Sequence, residues 1–180
     1  MLAACRPPAP VGPPRDWVAA PAFAQPADAP GRLWVVSDVH GGYQRLVALL
    51  QRAGLVNDAL AWTGGADRLY VLGDLIDKTT GGLPTIELLR ALEEQAPASG
   101  GLVVVSLGNH EAEFLADPGA DKVATFATEL REAALEPLEV ARGAAGPGAW
   151  LRSRPFGIKD GAWFFSHSGH TGGRSLEELG

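Results

Sequence analysis

One cysteine in 180 residues, Cys5, excludes a disulfide within the chain. It also excludes a cage of thiolates around a metal and a Cys pair for redox work. Basic runs are missing too: 15 Lys and Arg face 21 Asp and Glu, for a formal charge of -6. Binding along a nucleic-acid backbone needs the opposite balance, because cations must displace the counterions of the phosphates. The longest apolar stretches, Leu46 to Leu50 and Gly101 to Val105, stop far short of the roughly 18 residues that read as a membrane span. Histidine is scarce, with four in all. What remains is ordinary for one globular domain, 46% hydrophobic and 20% charged, and long enough to bury a sizeable core.

Around Cys5, "LAAC" has the form of a lipobox, but the charged and apolar leader that a secretory signal requires does not precede it. As written, the sequence reads as cytoplasmic. With a start further upstream, Cys5 would carry a lipid anchor and the protein would sit in a bacterial cell envelope. Residues 6–31 are dense in Pro and Ala, without helical or strand periodicity, and read as a semi-extended linker after residues 1–5. The folded domain is expected over 32–180.

"LWVVS" from Leu33 reads as a buried strand. After "DVHGG", Leu46, Leu49 and Leu50 predict a helix over Tyr43–Ala53 that ends at Gly54. "RLYVL" from Arg68 is a second strand. The helix after it is expected from Pro84, with Ile86, Leu89 and Leu92 on one face. "LVVVS" from Leu102 is a third strand, Val123, Phe126 and Leu130 mark a helix over Asp121–Ala134, and "AWFFS" from Ala162 is a fourth strand. Apolar strands alternating with helices indicate an α/β fold with a largely parallel sheet covered on both faces. Asp38 to Asp74 spans 36 positions and Asp74 to Asn109 spans 35, each about one strand-helix-strand unit.

In such sheets ligands bind beyond the carboxyl ends of the strands. Each proposed strand delivers polar groups there: Asp38 and His40, then Asp74 and Asp77, then Asn109, His110 and Glu111, and finally His167. Singly these have plain explanations, since an Asp after a strand often caps a helix and Gly-Asp or Gly-Asn makes turns. Four such clusters in order, each after a buried strand, do not. Asp38, Asp74, Asp77 and Glu111 would repel one another unless something positive sat among them, and a divalent cation supplies that charge. Carboxylate, imidazole and amide-oxygen donors without sulfur suit Mn, Fe, Zn or Co. A carboxylate on the central strand suits two ions that together clamp a phosphoryl group.

"DVHGG", "GDLIDK", "GNHE" and "SHSG" together resemble the calcineurin-like metallophosphoesterases, in the form of their phosphoprotein phosphatase branch, particularly the bacterial Shelph-type members. They are similar as well to the symmetrical dinucleoside-polyphosphate hydrolases. The resemblance covers the chain from about Leu33 onward. It implies a layered α/β/β/α sandwich and a metal-dependent phosphatase acting on a phosphorylated small molecule or a phosphoprotein. It makes Asp38 and His40 ligands of a first ion, Asp74 a bridge, and Asn109 and His167 ligands of a second, with a bridging hydroxide as nucleophile. It makes His110 the general acid, oriented by Asp77, with Lys78, Asn109 and His110 touching substrate and Glu111 supporting the ligands.

Three departures qualify it. Lys78 stands where the family usually has Arg, and an ammonium cannot grip phosphate with two prongs. Leu107 stands where eukaryotic protein phosphatases tend to have Arg. The family also supplies a later His to the second ion, and none follows His170, which is read as a loop residue. The sequence is therefore expected to be a fragment cut at both ends, with an incomplete second sheet. A dinucleoside-polyphosphate hydrolase and a catalytically silent metal-binding domain are the alternative readings. Arg152 and Arg154 of "GAWLRSRP" are expected to be exposed and solubilising in preference to reaching substrate, Gly41-Gly42 to form a tight turn or offer N–H groups to an anion, and Trp34, Trp62, Trp150 and Trp163 to pack in the core or at its edge.

Overall fold

The computed structural model describes residues 11–16, 19–27, 30–169 and 173–179. Cys5 and His170 lie outside the described residues. The Pro- and Ala-rich segment, anticipated as a linker, is docked on the body over much of its described length. Phe23–Ala24 forms a short strand, β1, and the Arg15 guanidinium donates to the carbonyls of Ala20 at 2.8 Å and Arg154 at 2.7 Å. Five N–H donors on one planar group make this a strong anchor without apolar periodicity to announce it.

The next three strands are those anticipated from their apolar runs, although the first, expected to be buried, is an edge strand with Val35 45% exposed. β2 (Leu33–Val36), β3 (Arg68–Leu72) and β4 (Leu102–Ser106) form a parallel sheet in that spatial order, with Val36 beside Val71 and Leu72 beside Ser106. Helix α1 (Tyr43–Arg52) follows β2, and α2 (Gly82–Gln95) follows β3. Immediately after β4 comes α3 (Asn109–Ala116), a helix not anticipated from the sequence. The helix expected over 121–134 is a 3-10 turn at Asp121–Val123 continued by α4 (Ala124–Glu132). Two short helices, α5 (Pro137–Ala141) and α6 (Gly148–Ser153), precede the remaining strands.

The expected fourth strand does not extend the parallel sheet. β5 (Gly157–Asp160) pairs antiparallel with β6 (Trp163–Ser166) and parallel with β1, giving a second sheet in the order β1-β5-β6. A four-residue helix, α7 (Leu176–Leu179), follows.

Alternation along β3 divides the interior. Leu69 and Val71 join the apolar core with Leu46 and Leu50 of α1, Ile86, Leu89 and Leu92 of α2, and Phe126 and Leu130 of α4. Tyr70 and Arg68 point the other way, as the period of 2 demands. The Tyr70 ring meets Phe165 edge-on at 5.6 Å, its hydroxyl donates to Asp160 at 3.0 Å, and Arg68 pairs with the same carboxylate at 2.6 Å. Burial, reinforced by the Asp160 bond, pushes the Tyr70 phenol up to about 12. One face of the parallel sheet thus carries helices and the other meets the second sheet.

Two expectations about polar surface fail. Arg154 is not solubilising: it pairs with Glu93 at 2.6 Å and stacks 4.3 Å from the centre of the Trp150 ring, while the Trp150 indole donates to Glu93 at 2.7 Å. Arg152 likewise donates to the Ala141 carbonyl at 3.2 Å. Among the tryptophans, Trp34 and Trp62 pack at the core edge, but Trp163 is 72% exposed.

Candidate metal centre

The loops after β2, β3 and β4 converge because the three strands run parallel and in register. Close contact between them is built into the backbone. Gly73 ends β3 with φ of 68°, and any Cβ there would collide with the backbone of Gly108. Asp38, His40, Asp74, Asp77 and Lys78 also take positive φ, between 48° and 65°. Side chains seldom accept that conformation, and its concentration in two loops marks a place where geometry is held against local preference.

The loops are bolted together by hydrogen bonds. His40 N–H donates to the Asp74 carbonyl and Gly41 N–H to the Leu75 carbonyl, both at 2.8 Å, and Gly42 N–H donates to the Val39 carbonyl at 2.8 Å. Both glycine N–H groups are therefore consumed, Gly41 across to the next loop and Gly42 in a tight turn, and the anion-binding alternative for Gly41-Gly42 is not met. Glu111, at the third position of α3, accepts from the N–H groups of Asp74 (2.8 Å), Leu75 (2.8 Å), Ile76 (3.2 Å) and Gly108 (2.9 Å). Burial pushes its carboxyl up in pKa, and the backbone donors oppose that. Asp74 Oδ1 in turn accepts from His110 N–H at 3.0 Å.

Every residue anticipated from the strand ends arrives at this spot. Asp38, Asp74 and His167 present ligand atoms within 4.8 Å of one another, as do His40, Asp74 and His110. Asp74 belongs to both groups. Its Oδ2 lies 3.5 Å from His40 Nε2 and 3.4 Å from His167 Nε2. His167 reaches this edge from the second sheet.

Both flanking imidazoles are oriented from behind. His40 Nδ1 faces the Ile76 carbonyl at 3.2 Å, and His167 Nδ1 faces the Leu72 carbonyl at 2.9 Å. A carbonyl only accepts, so each Nδ1 carries the hydrogen and each Nε2 turns a lone pair inward. Asp38 is half exposed, and its carboxyl is held below its ordinary range, chiefly by the Ser37 hydroxyl and with help from His167, His40 and Lys78. His110 is placed differently: its Nδ1 lies 3.3 Å from Asp77 Oδ2, while Asp77 Oδ1 accepts from Phe126 N–H at 2.9 Å. Lys78 Nζ lies 2.6 Å from His40 Nε2.

The donor set fits a cation. The side-chain oxygen of Asn109 lies 2.9 Å from His167 Nε2 and 3.0 Å from Asp74 Oδ2, so lone pairs face lone pairs. Such a convergence is repulsive unless the amide turns over to donate or a positive charge sits at its centre. Oxygen and imidazole donors without sulfur are those of borderline to hard divalent ions. From His40 a groove of about 690 Å³ runs past Gly41, Tyr43, Arg45, Thr79 and Gly81.

Sequence reasoning missed two neighbours of the centre. Ser37 completes β2's approach to Asp38, and only its adjacency could have suggested it. Lys122 Nζ lies 2.6 Å from the outer atom of the Asn109 amide, from a polar turn with no pattern to single it out.

Residues 31–177 match the family model of the calcineurin-like phosphoesterases, and the chain belongs to that family. Metal dependence is general to it, which agrees with the donor set, and the fold is its mixed α/β sandwich. The chain is 31% identical over 84 residues to Shewanella-like protein phosphatase 2 of Arabidopsis thaliana, a match covering 47% of this chain and 22% of the relative. It is 36% identical over 83 residues to a symmetrical bis(5'-nucleosyl)-tetraphosphatase of Cronobacter sakazakii, covering 46% and 24% respectively. Among solved structures it resembles a cold-active protein-tyrosine phosphatase of a psychrophilic Shewanella, with TM-score 0.67 and 24% identity over 84% of this chain and 45% of that one. It also resembles a putative diadenosine tetraphosphatase, with TM-score 0.57 and 22% identity over 87% and 58%. The matches thus take in about a quarter of the curated relatives' length and about half of the solved chains.

Proposed function

We propose that the chain hydrolyses phosphate monoesters at a pair of divalent ions, in a phosphorylated small molecule or a phosphoprotein. The observation that carries the reading is the position of Asp74, whose Oδ2 lies 3.5 Å from His40 Nε2 and 3.4 Å from His167 Nε2. Asp38, His40 and Asp74 would hold one ion, and Asp74, Asn109 and His167 the other. When bound, two such ions acidify water to a nucleophile and neutralise charge on the phosphoryl group. The chain's own groups do the rest. His110, outside both ion-binding sets in this assignment, gives a proton to the leaving oxygen through Nε2, because Asp77 holds its Nδ1. Lys78 lies beside the groove and steadies a phosphate oxygen through one charge-assisted bond.

Dialysis against Mn followed by metal analysis tests this directly. Two retained ions per chain and release of phosphate from an aryl phosphate are expected, with less than one ion retained by Asp74→Asn. That substitution keeps an oxygen for the His110 N–H while removing the shared charge. A wild-type chain that keeps two ions and releases no phosphate from either an aryl phosphate or a phosphopeptide would sink the reading.

A dinucleoside-polyphosphate substrate is the second reading, supported by the Cronobacter sakazakii relative and by the groove of about 690 Å³ beside His40. Turnover of a phosphopeptide and a dinucleoside tetraphosphate, measured side by side, separates the two.

A further inference from the structure

The Asn109 amide has two faces with different neighbours. Its inner atom lies 2.9 Å from His167 Nε2, 3.0 Å from Asp74 Oδ2 and 3.2 Å from Asp74 Oδ1, and its outer atom lies 2.6 Å from Lys122 Nζ. With the nitrogen inward, every one of these contacts pairs a donor with an acceptor, and Lys122 donates to the amide oxygen. With the oxygen inward, as an ion held by Asp74 and His167 requires, the amide NH2 faces the ammonium. Two donors at that distance cannot stay there.

Lys122 is free to leave. Glu113 Oε2, at 3.1 Å, engages one of its three N–H bonds, and both side chains are about two-fifths exposed at 39% and 40%. An ammonium released from Asn109 therefore stands at the mouth of the centre with donors to spare. Lys78 lies at His40 and Lys122 at Asn109, so an ammonium stands beside each of these two side chains of the centre.

We infer that Lys122 is a substrate-positioning residue, tied to Asn109 in the metal-free chain and turned to a phosphate oxygen when an ion rotates the amide. The assignment rests on the phosphoesterase reading above. It also answers a deficit: Lys78 grips with a single prong where a guanidinium would use two, and a second ammonium supplies the missing contact.

Binding of inorganic phosphate, read by titration calorimetry on the Mn-loaded and metal-free chain, tests it without reliance on turnover. Loss of one charge-assisted hydrogen bond in Lys122→Met is expected to weaken phosphate binding to the loaded chain about tenfold or more. Lys122→Arg should restore most of the affinity, and retained Mn should match wild type in both. Glu113→Gln should bind phosphate as well as wild type or better. In the metal-free chain Lys122→Met should change nothing. Wild-type affinity in loaded Lys122→Met overturns the inference, as does an equal loss in Glu113→Gln, which would make the pair a structural link. If wild type retains Mn but binds no phosphate, the inference and the phosphoesterase reading fail together. If wild type binds phosphate and only the Lys122 comparison fails, the inference fails alone.

Discussion

Glu111 Oε2 accepts the backbone N–H of Asp74 at 2.8 Å, and Asp74 Oδ1 accepts the backbone N–H of His110 at 3.0 Å. Each loop thus holds the other: α3 positions the carboxylate shared by both ligand groups, and that carboxylate pins the start of α3. Replacing Glu111 by Ala would leave buried N–H groups of Asp74, Leu75, Ile76 and Gly108 without their acceptor. Urea denaturation should show a loss of about 3 kcal/mol or more, since each stranded buried donor costs roughly 1–3 kcal/mol. Glu111→Gln should fall between, because its amide retains one oxygen for them.

The Asp77–His110 pair separates proton donation from ion binding. His110→Asn should lower kcat by about 10²–10⁴ while retained metal stays at the wild-type level. The loss should be smaller for an aryl phosphate with an acidic phenol than for an alkyl phosphate, because a good leaving group needs no proton. Equal losses on both substrates would deny His110 the role of acid. Asp77→Asn should show the same dependence in weaker form.

Asp67 offers a stability test remote from the chemistry. Its carboxylate accepts from Trp34 Nε1 at 2.9 Å, Arg32 N–H at 2.9 Å and Arg32 Nε at 3.1 Å. The Trp34 bond first, then the Arg32 backbone bond, hold its pKa below the ordinary range. A depressed folded pKa means that the ionised form favours the folded state. The contribution is present above the unfolded value, about 3.9, and is lost as pH falls through the folded one. Asp67→Ala should therefore cost about 1–3 kcal/mol near neutrality. The gap between the unfolding curves of wild type and variant should narrow only below about pH 4.

The parallel sheet and the convergence of polar groups were legible because β2, β3 and β4 are continuous apolar runs that each end in charged or amide residues. β1 was hidden: its two residues lie among Pro and Ala, and its partner Gly157 is distant in sequence. α2 starts at Gly82 rather than near Pro84, because the Glu129 carboxylate of α4 accepts the N–H groups of Gly81, Gly82 and Leu83 at 2.9 to 3.1 Å. No local pattern reports a cap delivered across the fold. At the site the types of residue were readable and their backbone state was not. Nothing in "DVH" or "GDLIDK" says that five non-glycine residues take left-handed angles, since tertiary contacts impose that conformation.

Those five angles bear on how the centre would take up a metal ion. Because the loops are already wound when Gly73, Gly108 and Glu111 lock together, the energetic burden of shaping the cradle falls on folding rather than on loading. On the two-ion reading, loading would leave the scaffold's form unchanged and call only on the Asn109 amide and the exposed lysines to change pose.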